Sequence, residues 1–347
     1  MLDPTGGTGS GHINASGQVA FTTAPQRQLQ GMVFDGVKLQ QVPGSATSAV
    51  TGISASGLAI GNLVDANGDS RAFVWNTSTQ AVALIDTPPG TTSSATDINS
   101  GGQVCGTRTD RTFPSALRWT PGSPSETLDS LGGGASAKAI EIGLFINASA
   151  VVAGNSTTPS GSVHAALWAP GAAVRDLGTL GGINSSVTGL NDASQVIGQA
   201  EFPAGVLRAF RWTEAGGTQA LGTLGGNLSF ANGINASGWI AGSSTDASGN
   251  LLAFLWRDGA MKSLGTLGGP SSTAMAINNA GQVAGHASTA GGVGHAFVWS
   301  AADGMVDLNS RLNASSPPEL KSVIAIADNG AMVVQSSGGL VLLRPAP

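Results

Sequence analysis

Apolar residues in this chain occur in short runs, separated by turns rich in Gly, Asn, Asp and Ser. The stretch 185–224 contains four β-permissive runs, SSVTGLN, QVIGQAE, LRAFRW and TQALGTL, separated by the turns DAS, FPAG and TEAGG. Runs of roughly 4–7 residues between such turns are typical of hairpin strands and leave no room for a helix of about ten residues. The pattern predicts four antiparallel strands in this stretch.

The same unit recurs along the whole chain. A motif of the form I-N-x-x-G-x-V-x-G begins at residues 13, 53, 98, 146, 190, 234, 277 and, in a degenerate form, 326. Tryptophans at 75, 119, 168, 212, 256 and 299 keep the same period, and each closes a short apolar run. Four strands repeated every ~40–50 residues are the signature of a β-propeller, whereas a β-helix or leucine-rich solenoid has a shorter period. We therefore predict an all-β protein, a single β-propeller domain over residues 1–347 with four-stranded blades of about 45 residues.

The blade count follows from the motifs. Eight motifs and eight third-strand runs are accompanied by only seven internal fourth strands. The opening LDPTGG (2–7) resembles the hexapeptide LGTLGG at 177–182, 221–226 and 264–269. We predict eight blades, with seven as the alternative, and a ring closed by the N-terminal strand completing the last blade, which would remove both sheet edges.

The hexapeptide LGTLGG is interpreted as the end of an outer strand followed by a turn toward the next blade. Its glycines do not have the spacing of a dinucleotide or P-loop motif, and no helix-forming segment follows them. A phosphate site on a helix N-terminus is therefore not expected.

Composition excludes several functional classes. Charged residues make up only 10% of the chain, the net charge is −5, and the cations are scattered, so nucleic-acid binding is not expected. No apolar run approaches the ~18 residues of a membrane helix, so direct membrane insertion is not expected either. The single cysteine, Cys105, excludes internal disulfides. No signal peptide is present in this chain, and the low-charge Ser/Thr/Asn/Gly-rich sequence favours a mature domain at an extracellular or cell-surface location.

The alternation of INNAGQVAG (277–285), HAFVW (295–299) and LGTLGG resembles the bacterial HAF extracellular repeat family. The His-Ala-Phe run is intact only at 295–297, and other units begin the same strand with Arg71, Ser115, Arg208 or Leu252. The resemblance covers essentially the whole chain. It implies a secreted or cell-surface protein, and it implies no catalytic residues.

Candidate binding residues are sought where a unit departs from the repeat, because the scaffold explains only what recurs. Three irregular stretches, 132–147, 106–115 and 199–206, carry charges or aromatic rings that the equivalent loops lack. Phe230 and Asp97, which replaces a glycine found in other inner strands, could line the axial channel. The predicted ligand-binding residues are Lys138, Glu141, Arg108, Asp110, Arg111, Glu201, Phe202, Phe230 and Asp97.

Other motifs are weaker candidates. DANGD (Asp65, Asn67, Asp69) has the alternating oxygen ligands of a calcium loop but lacks a Glu at the twelfth position, so a plain hairpin turn is favoured and no cofactor is expected. The four histidines have no metal-ligand spacing, and His164 and His295 are interpreted as solvated strand ends.

These observations lead to three functional hypotheses. The first is a non-catalytic binding module that recognises a glycan or a surface macromolecule through the loop face of the propeller. The alternative is a polysaccharide lyase or hydrolase in the axial funnel, with Glu141, Asp110 or Glu201 as acid or base. The second alternative is a structural repeat in an extracellular assembly. The oligomeric state is left open.

Overall fold

The computed structural model describes residues 11–24, 28–88, 90–110, 113–132, 139–312 and 318–345, and for residues 113 and 139–143 it describes the backbone alone. These residues form eight antiparallel sheets, and the fold is that of an eight-bladed β-propeller. The predicted fold class and blade count are confirmed, and the seven-bladed alternative is wrong. The predicted closing strand (2–7) lies outside the described residues.

The chain divides into two compact units, and the first covers residues 11–179 and 183–194. It holds four four-stranded sheets, β1–β4, β5–β8, β9–β12 and β13–β16, followed by strand β17. Its strands are β1 (Gly11–Ile13), β2 (Val19–Thr23), β3 (Gln30–Phe34), β4 (Leu39–Gln41), β5 (Ser48–Ile53), β6 (Leu58–Val64), β7 (Ser70–Asn76), β8 (Val82–Leu84), β9 (Thr91–Ile98), β10 (Val104–Asp110), β11 (Phe113–Trp119), β12 (Glu126–Thr127), β13 (Ala139–Ile146), β14 (Val152–Thr157), β15 (Val163–Trp168), β16 (Arg175–Asp176) and β17 (Ser185–Leu190).

The second unit covers residues 180–182 and 195–345. Its strands are β18 (Val196–Glu201), β19 (Leu207–Thr213), β20 (Gly217–Ala220), β21 (Gly225–Ile234), β22 (Ile240–Asp246), β23 (Leu251–Arg257), β24 (Ala260–Gly265), β25 (Gly268–Ile277), β26 (Val283–Thr289), β27 (Gly294–Ser300), β28 (Gly304–Asp307), β29 (Leu320–Ile326), β30 (Met332–Ser336) and β31 (Gly339–Leu343). Short 3-10 helices occupy Pro203–Gly205 and Leu308–Arg311. Among the described residues, none of the helices has the length and apolar character needed to cross a membrane.

The hydrophobic core lies between neighbouring sheets. In the second unit, Phe297 and Trp299 on β27 pack in one cluster with Ala241 and Ala253 of the preceding sheet. The alternation of Phe and Trp places both rings on the same face of the strand, and the small alanines opposite leave room for them. This packing explains why the tryptophans follow the repeat.

The Asn of the I-N motif joins one sheet to the next. The Asn278 side chain is buried, and its Nδ2 donates to the Ala327 carbonyl at 3.0 Å while its Oδ1 accepts from the Gln282 amide at 2.9 Å. The same Nδ2 bond to the next motif is made by Asn14, Asn99, Asn147 and Asn235. The motif therefore supplies a repeated hydrogen bond between blades as well as a turn.

The hexapeptide LGTLGG joins the fourth strand to the next blade, as predicted. At 264–269, Leu264 and Gly265 end β24, and Gly268 and Gly269 begin β25. The Gly265 carbonyl accepts a hydrogen bond of 2.6 Å from Ser272 Oγ, which itself accepts from the Ala253 amide. The motif positions a serine that ties the third strand of one sheet to the first strand of the next.

Candidate functional site

A cleft of about 550 Å³ lies in the second unit between the sheet β25–β28 and the sheet β29–β31. We call it the His286 cleft and define it by Met275, Val293, His286, Ser322, Glu319 and Lys321. Met275 and Val293 are 41% and 48% exposed and form its apolar surface. The other four side chains supply an imidazole, a hydroxyl, a carboxylate and an ammonium group.

Two of these side chains stand at irregularities in the sheets. The pairing of β25 with β26 shifts between Ala274 and Ala276, which leaves Met275 without a partner residue on the neighbouring strand. The pairing of β29 with β30 shifts in the same way around Lys321. Because a bulge changes the direction of the extra side chain, the bulges place Met275 and Lys321 at the cleft.

His286 is the ring at the floor of the cleft. Its Nδ1 lies 3.4 Å from Ser322 Oγ, across the gap between the two sheets. Burial lowers the pKa of His286 below its ordinary value, so the ring is neutral at pH 7. In other sheets the equivalent residue also bonds to the next sheet: the Asn62 and Asn155 amide oxygens accept from Ala95 and Val187 amides at 3.0 and 2.9 Å.

His295 stands beside the cleft, near the carboxylates of Asp307 and Glu319. Its Nδ1 lies 2.7 Å from Asp307 Oδ2, and its Nε2 lies 3.8 Å from Glu319 Oε1. Asp307 also accepts from the Asn309 amide at 2.9 Å and caps the 3-10 helix Leu308–Arg311. The carboxylate of Glu319 and the ammonium group of Lys321 thus face one cleft from positions two residues apart.

His164 and His295 are partly exposed near the starts of β15 and β27, and each is also paired with an aspartate. His164 Nδ1 lies 2.9 Å from Asp176, as His295 lies close to Asp307. Each Asp follows its His by 12 residues, on the neighbouring fourth strand. That shared spacing is the signal in the sequence that could have identified both pairs.

The predicted ligand residues of the first unit make local contacts. Arg108 donates from Nη2 to Thr127 Oγ1 at 3.0 Å, within its own sheet. Asp110 is exposed at the end of β10. Lys138, Arg111 and the side chain of Glu141 lie outside the described residues.

The remaining predicted residues belong to the second unit. Phe202 lies under the guanidinium of Arg208, whose central carbon is 5.8 Å from the ring centroid. Glu201, at the end of β18, accepts the Gly182 amide through its backbone carbonyl at 2.9 Å. Phe230 is half-buried on β21. None of these three residues lines the His286 cleft.

Asp97, one of the predicted residues, is a carboxyl group with a raised pKa. Its Oδ1 accepts from the Ile98 amide at 2.8 Å, and its Oδ2 accepts from the Ile146 amide at 3.0 Å in the next sheet. Desolvation by burial raises the pKa of Asp97 to about 6, although the two amide donors act to lower it. The carboxyl group links two sheets where other blades have glycine. Together with burial, its charge also raises the pKa of the Cys105 thiol, which is fully buried.

The DANGD stretch forms a hairpin turn closed by an ion pair. Asp65 Oδ1 accepts from the Asn67 and Asp69 amides, and Asp65 Oδ2 lies 3.0 Å from Arg71 Nε. The hydrogen bond from Arg71 is the main cause of the lowered pKa of Asp65. The oxygens of Asp65 are thus engaged by the turn itself. Within the described part of the chain, no group of three or more His, Cys, Asp or Glu side chains could hold a metal ion.

Comparison with solved structures identifies the same fold in peptidases. The chain is similar to dipeptidyl peptidase 4 of Porphyromonas gingivalis (TM-score 0.58, 10% identity, 91% of this chain and 55% of that one). It is also similar to a prolyl endopeptidase (0.56, 9%, 97% and 55%) and to a puromycin-hydrolyzing peptidase of Mycobacterium tuberculosis (0.50, 11%, 96% and 58%). What they share is the fold. The chain spans little more than half the length of these proteins, and no family model and no curated protein matches its sequence.

The functional interpretation from the sequence is therefore corrected. A module for a glycan or surface macromolecule, a polysaccharide lyase or hydrolase, and a structural repeat were the three hypotheses, but the three solved structures compared above are peptidases. The physical reason for the error is that low charge and loop composition, on which the interpretation rested, suit several classes of ligand. The predicted ligand residues lie in 132–147, 106–115 and 199–206 and at Phe230 and Asp97, whereas the His286 cleft is built by β25, β26 and β29.

Proposed function

We propose that the chain is a peptide-binding propeller of the kind that accompanies peptidase activity, and that a polypeptide segment binds in the His286 cleft. The observation that carries the proposal is the composition of this cleft. Within about 550 Å³ it combines an exposed apolar surface, Met275 and Val293, with one carboxylate, Glu319, and one ammonium group, Lys321. Pockets of roughly 300–1,000 Å³ with apolar walls and a few polar groups are typical ligand sites.

The groups in the cleft suit the chemistry of a peptide. Lys321 attracts an acidic side chain or a carboxyl terminus, and Glu319 attracts a basic side chain or an amino terminus. Met275 adapts its shape to different apolar side chains because its thioether is flexible and polarizable. The shared fold with the three peptidases supports the proposal through architecture alone.

The Ser322–His286 contact is not proposed as a nucleophile and its base. An activated serine needs a base that a third group orients. Among the described residues, Ser322 is the one hydrogen-bond partner of the His286 ring. The bridging bonds of Asn62 and Asn155 at the same repeat position show that the scaffold itself accounts for this contact.

The test is a binding screen on the purified chain. A library of fluorescent peptides that vary in charge and apolar content is titrated by anisotropy, with neutral and acidic oligosaccharides as the comparison. For the tightest peptide, Glu319→Gln or Lys321→Gln is expected to weaken binding at least about fivefold, because each removes a charged partner. Ser322→Ala is expected to leave the affinity within about twofold.

Lys38→Gln is the matched control, since Lys38 is an exposed cation of the first unit that does not line this cleft. Equal affinity of wild type, Glu319→Gln and Lys321→Gln for every peptide bound would refute the site. Binding of oligosaccharides and of no peptide would refute the function.

A further inference from the structure

A second cleft, of about 270 Å³, lies beside the hairpin of β23 and β24 in the second unit. We call it the Arg257 cleft and define it by Leu255, Arg257, Asp258, Lys262, Trp299 and Ala301. It shares no residue with the His286 cleft. Two of its side chains are cations, in a chain whose net charge is −5.

The strand register places both cations on one face of the hairpin. Arg257 is opposite Ala260, and Leu255 is opposite Lys262, so these four side chains alternate onto the same side. Arg257 and Lys262 are diagonal neighbours, which in an antiparallel pair lie roughly 7–8 Å apart. Two long cationic side chains at that separation can reach one small anion between them.

Neither cation is neutralised by a counter-ion. Within the described chain, Arg257 and Lys262 take part in no ion pair, in contrast to Arg118, whose Nη2 lies 2.7 Å from Glu126. The two cations instead lie on aromatic rings. Arg257 is 5.1 Å from the centroid of Trp239, and Lys262 is 5.8 Å from that of Trp299. A ring face holds a cationic head group in place and leaves its hydrogen-bond donors free for a ligand.

A cation over a periodic tryptophan recurs in the chain, since Arg211 lies 4.8 Å from the centroid of Trp256, but the repeat does not account for Arg257. In the five other blades that carry the periodic tryptophan, the next residue is uncharged: Asn76, Thr120, Ala169, Thr213 and Ser300. Arg257 alone brings a charge to this position. Trp239, on which it lies, is the one tryptophan outside the period, since it replaces the Gln of the SGQV motif. Two departures from the scaffold thus contact each other at the edge of one cleft.

We propose that the Arg257 cleft binds a small organic anion, whose carboxylate or phosphate lies between Arg257 and Lys262 and whose apolar part packs on Trp299. Asp258, the acidic member of the lining, opposes a second negative charge, so a carboxylate is favoured over a phosphate monoester, which is mainly doubly charged at pH 7. The space of about 270 Å³ suits a ligand the size of one aromatic ring with its acidic group. The proposal is independent of peptide binding in the His286 cleft.

The experiment uses two probes and one neutral analogue on the full chain. Phenylacetate and phenyl phosphate are titrated up to about 10 mM, with phenylacetamide as the neutral analogue, and tryptophan fluorescence reports binding through Trp239 and Trp299. At least one anion is expected to bind, and the analogue is expected to bind at least about tenfold more weakly. The anion that binds more tightly identifies the carboxylate or the phosphate as the acidic group.

Variants assign the signal to the cleft. Arg257→Gln and Lys262→Gln, both at exposed positions, are each expected to weaken anion binding about tenfold and to leave the unfolding midpoint unchanged. Lys38→Gln, at an exposed cation of the first unit that lines neither cleft, is the control and is expected to bind like wild type. The proposal is overturned if neither anion binds, if the neutral analogue binds equally well, or if both cleft variants retain wild-type affinity.

Discussion

At the scale of single residues, the Asn of the I-N motif performs more than the role that the sequence indicates. The motif predicts a hairpin turn in which Asn and Gly tolerate a positive φ. In the structure the positive φ, 77°, falls at Gly281, whereas Asn278 contributes a buried amide that bonds to its own turn and to the Ala327 carbonyl of the next sheet. The side chain of Asn278 thus connects two sheets, and the sequence of a single repeat does not indicate this contact.

Asn278→Ala is expected to destabilise the chain by about 1–3 kcal/mol, because it leaves a buried carbonyl and a turn amide without their partner. Chemical denaturation followed by fluorescence measures the change. The control is Asn279→Ala, which removes an exposed bond to Asp328 and is expected to cost no more than about 0.5 kcal/mol. Equal losses in the two variants would contradict the role given to Asn278.

Asp97 makes stability depend on pH. Its pKa, raised to about 6, means that the folded chain binds this proton more tightly than the unfolded chain does. The contribution is present below the ordinary pKa of an aspartate and is lost as pH rises through about 6, by up to about 3 kcal/mol. Asp97→Asn is therefore expected to lose less stability than wild type between pH 4 and pH 7, measured by thermal unfolding. A parallel pH profile in wild type and variant would contradict this.

At the scale of elements, LGTLGG connects one blade to the next, and its last two residues must be glycine for different reasons. Gly268 has a φ of 99°, which side-chain-bearing residues rarely adopt. A Cβ at Gly269 would lie 2.5 Å from the Thr289 carbonyl oxygen. The three identical copies of the hexapeptide thus reflect the geometry needed to leave one blade and enter the next.

Gly268→Ala is expected to destabilise the chain by about 1–3 kcal/mol, because alanine is strained at this φ. Gly269→Ala is expected to do so as well, since the added methyl meets backbone. Gly294→Ala is the control, because a Cβ there meets nothing within 4 Å. Urea denaturation compares the three, and a loss at Gly294 equal to the others would contradict the assignment.

At the scale of the whole molecule, the fold was predictable because it recurs. The I-N motif and the periodic tryptophans mark the same four-strand unit. Repetition of that unit along the chain predicts the eight blades. The cleft was not predictable in this way. Met275 and Lys321 reach it through bulges, and Ser322 meets His286 from a strand 36 residues further along the chain. The register shift at Met275 recurs at the same repeat position in at least five sheets, but which side chains meet across two blades is a tertiary feature for which the repeat carries no signal.

The predicted ligand-binding residues were selected for their departure from the repeat, and their role stays a prediction. A high density of charge distinguishes one loop from the equivalent loops, but a charged side chain can also be engaged locally. Arg108, for example, donates a hydrogen bond to Thr127 of the same sheet. The charges at Glu319 and Lys321 are equally visible in a sparsely charged sequence, and in the structure Glu319 Oε1 lies 3.8 Å from Nε2 of His295, in the one intact His-Ala-Phe run. The resemblance to the HAF repeat family and the extracellular location stay predictions.

Hydrogen–deuterium exchange with the tightest peptide of the screen tests the central claim most directly. Peptide binding in the His286 cleft predicts slower amide exchange in β25, β26 and the start of β29, and unchanged exchange in β5–β8 of the first unit. The protection is expected to disappear in Lys321→Gln at the same peptide concentration. Protection confined to other strands, or identical protection in the variant, would contradict the account.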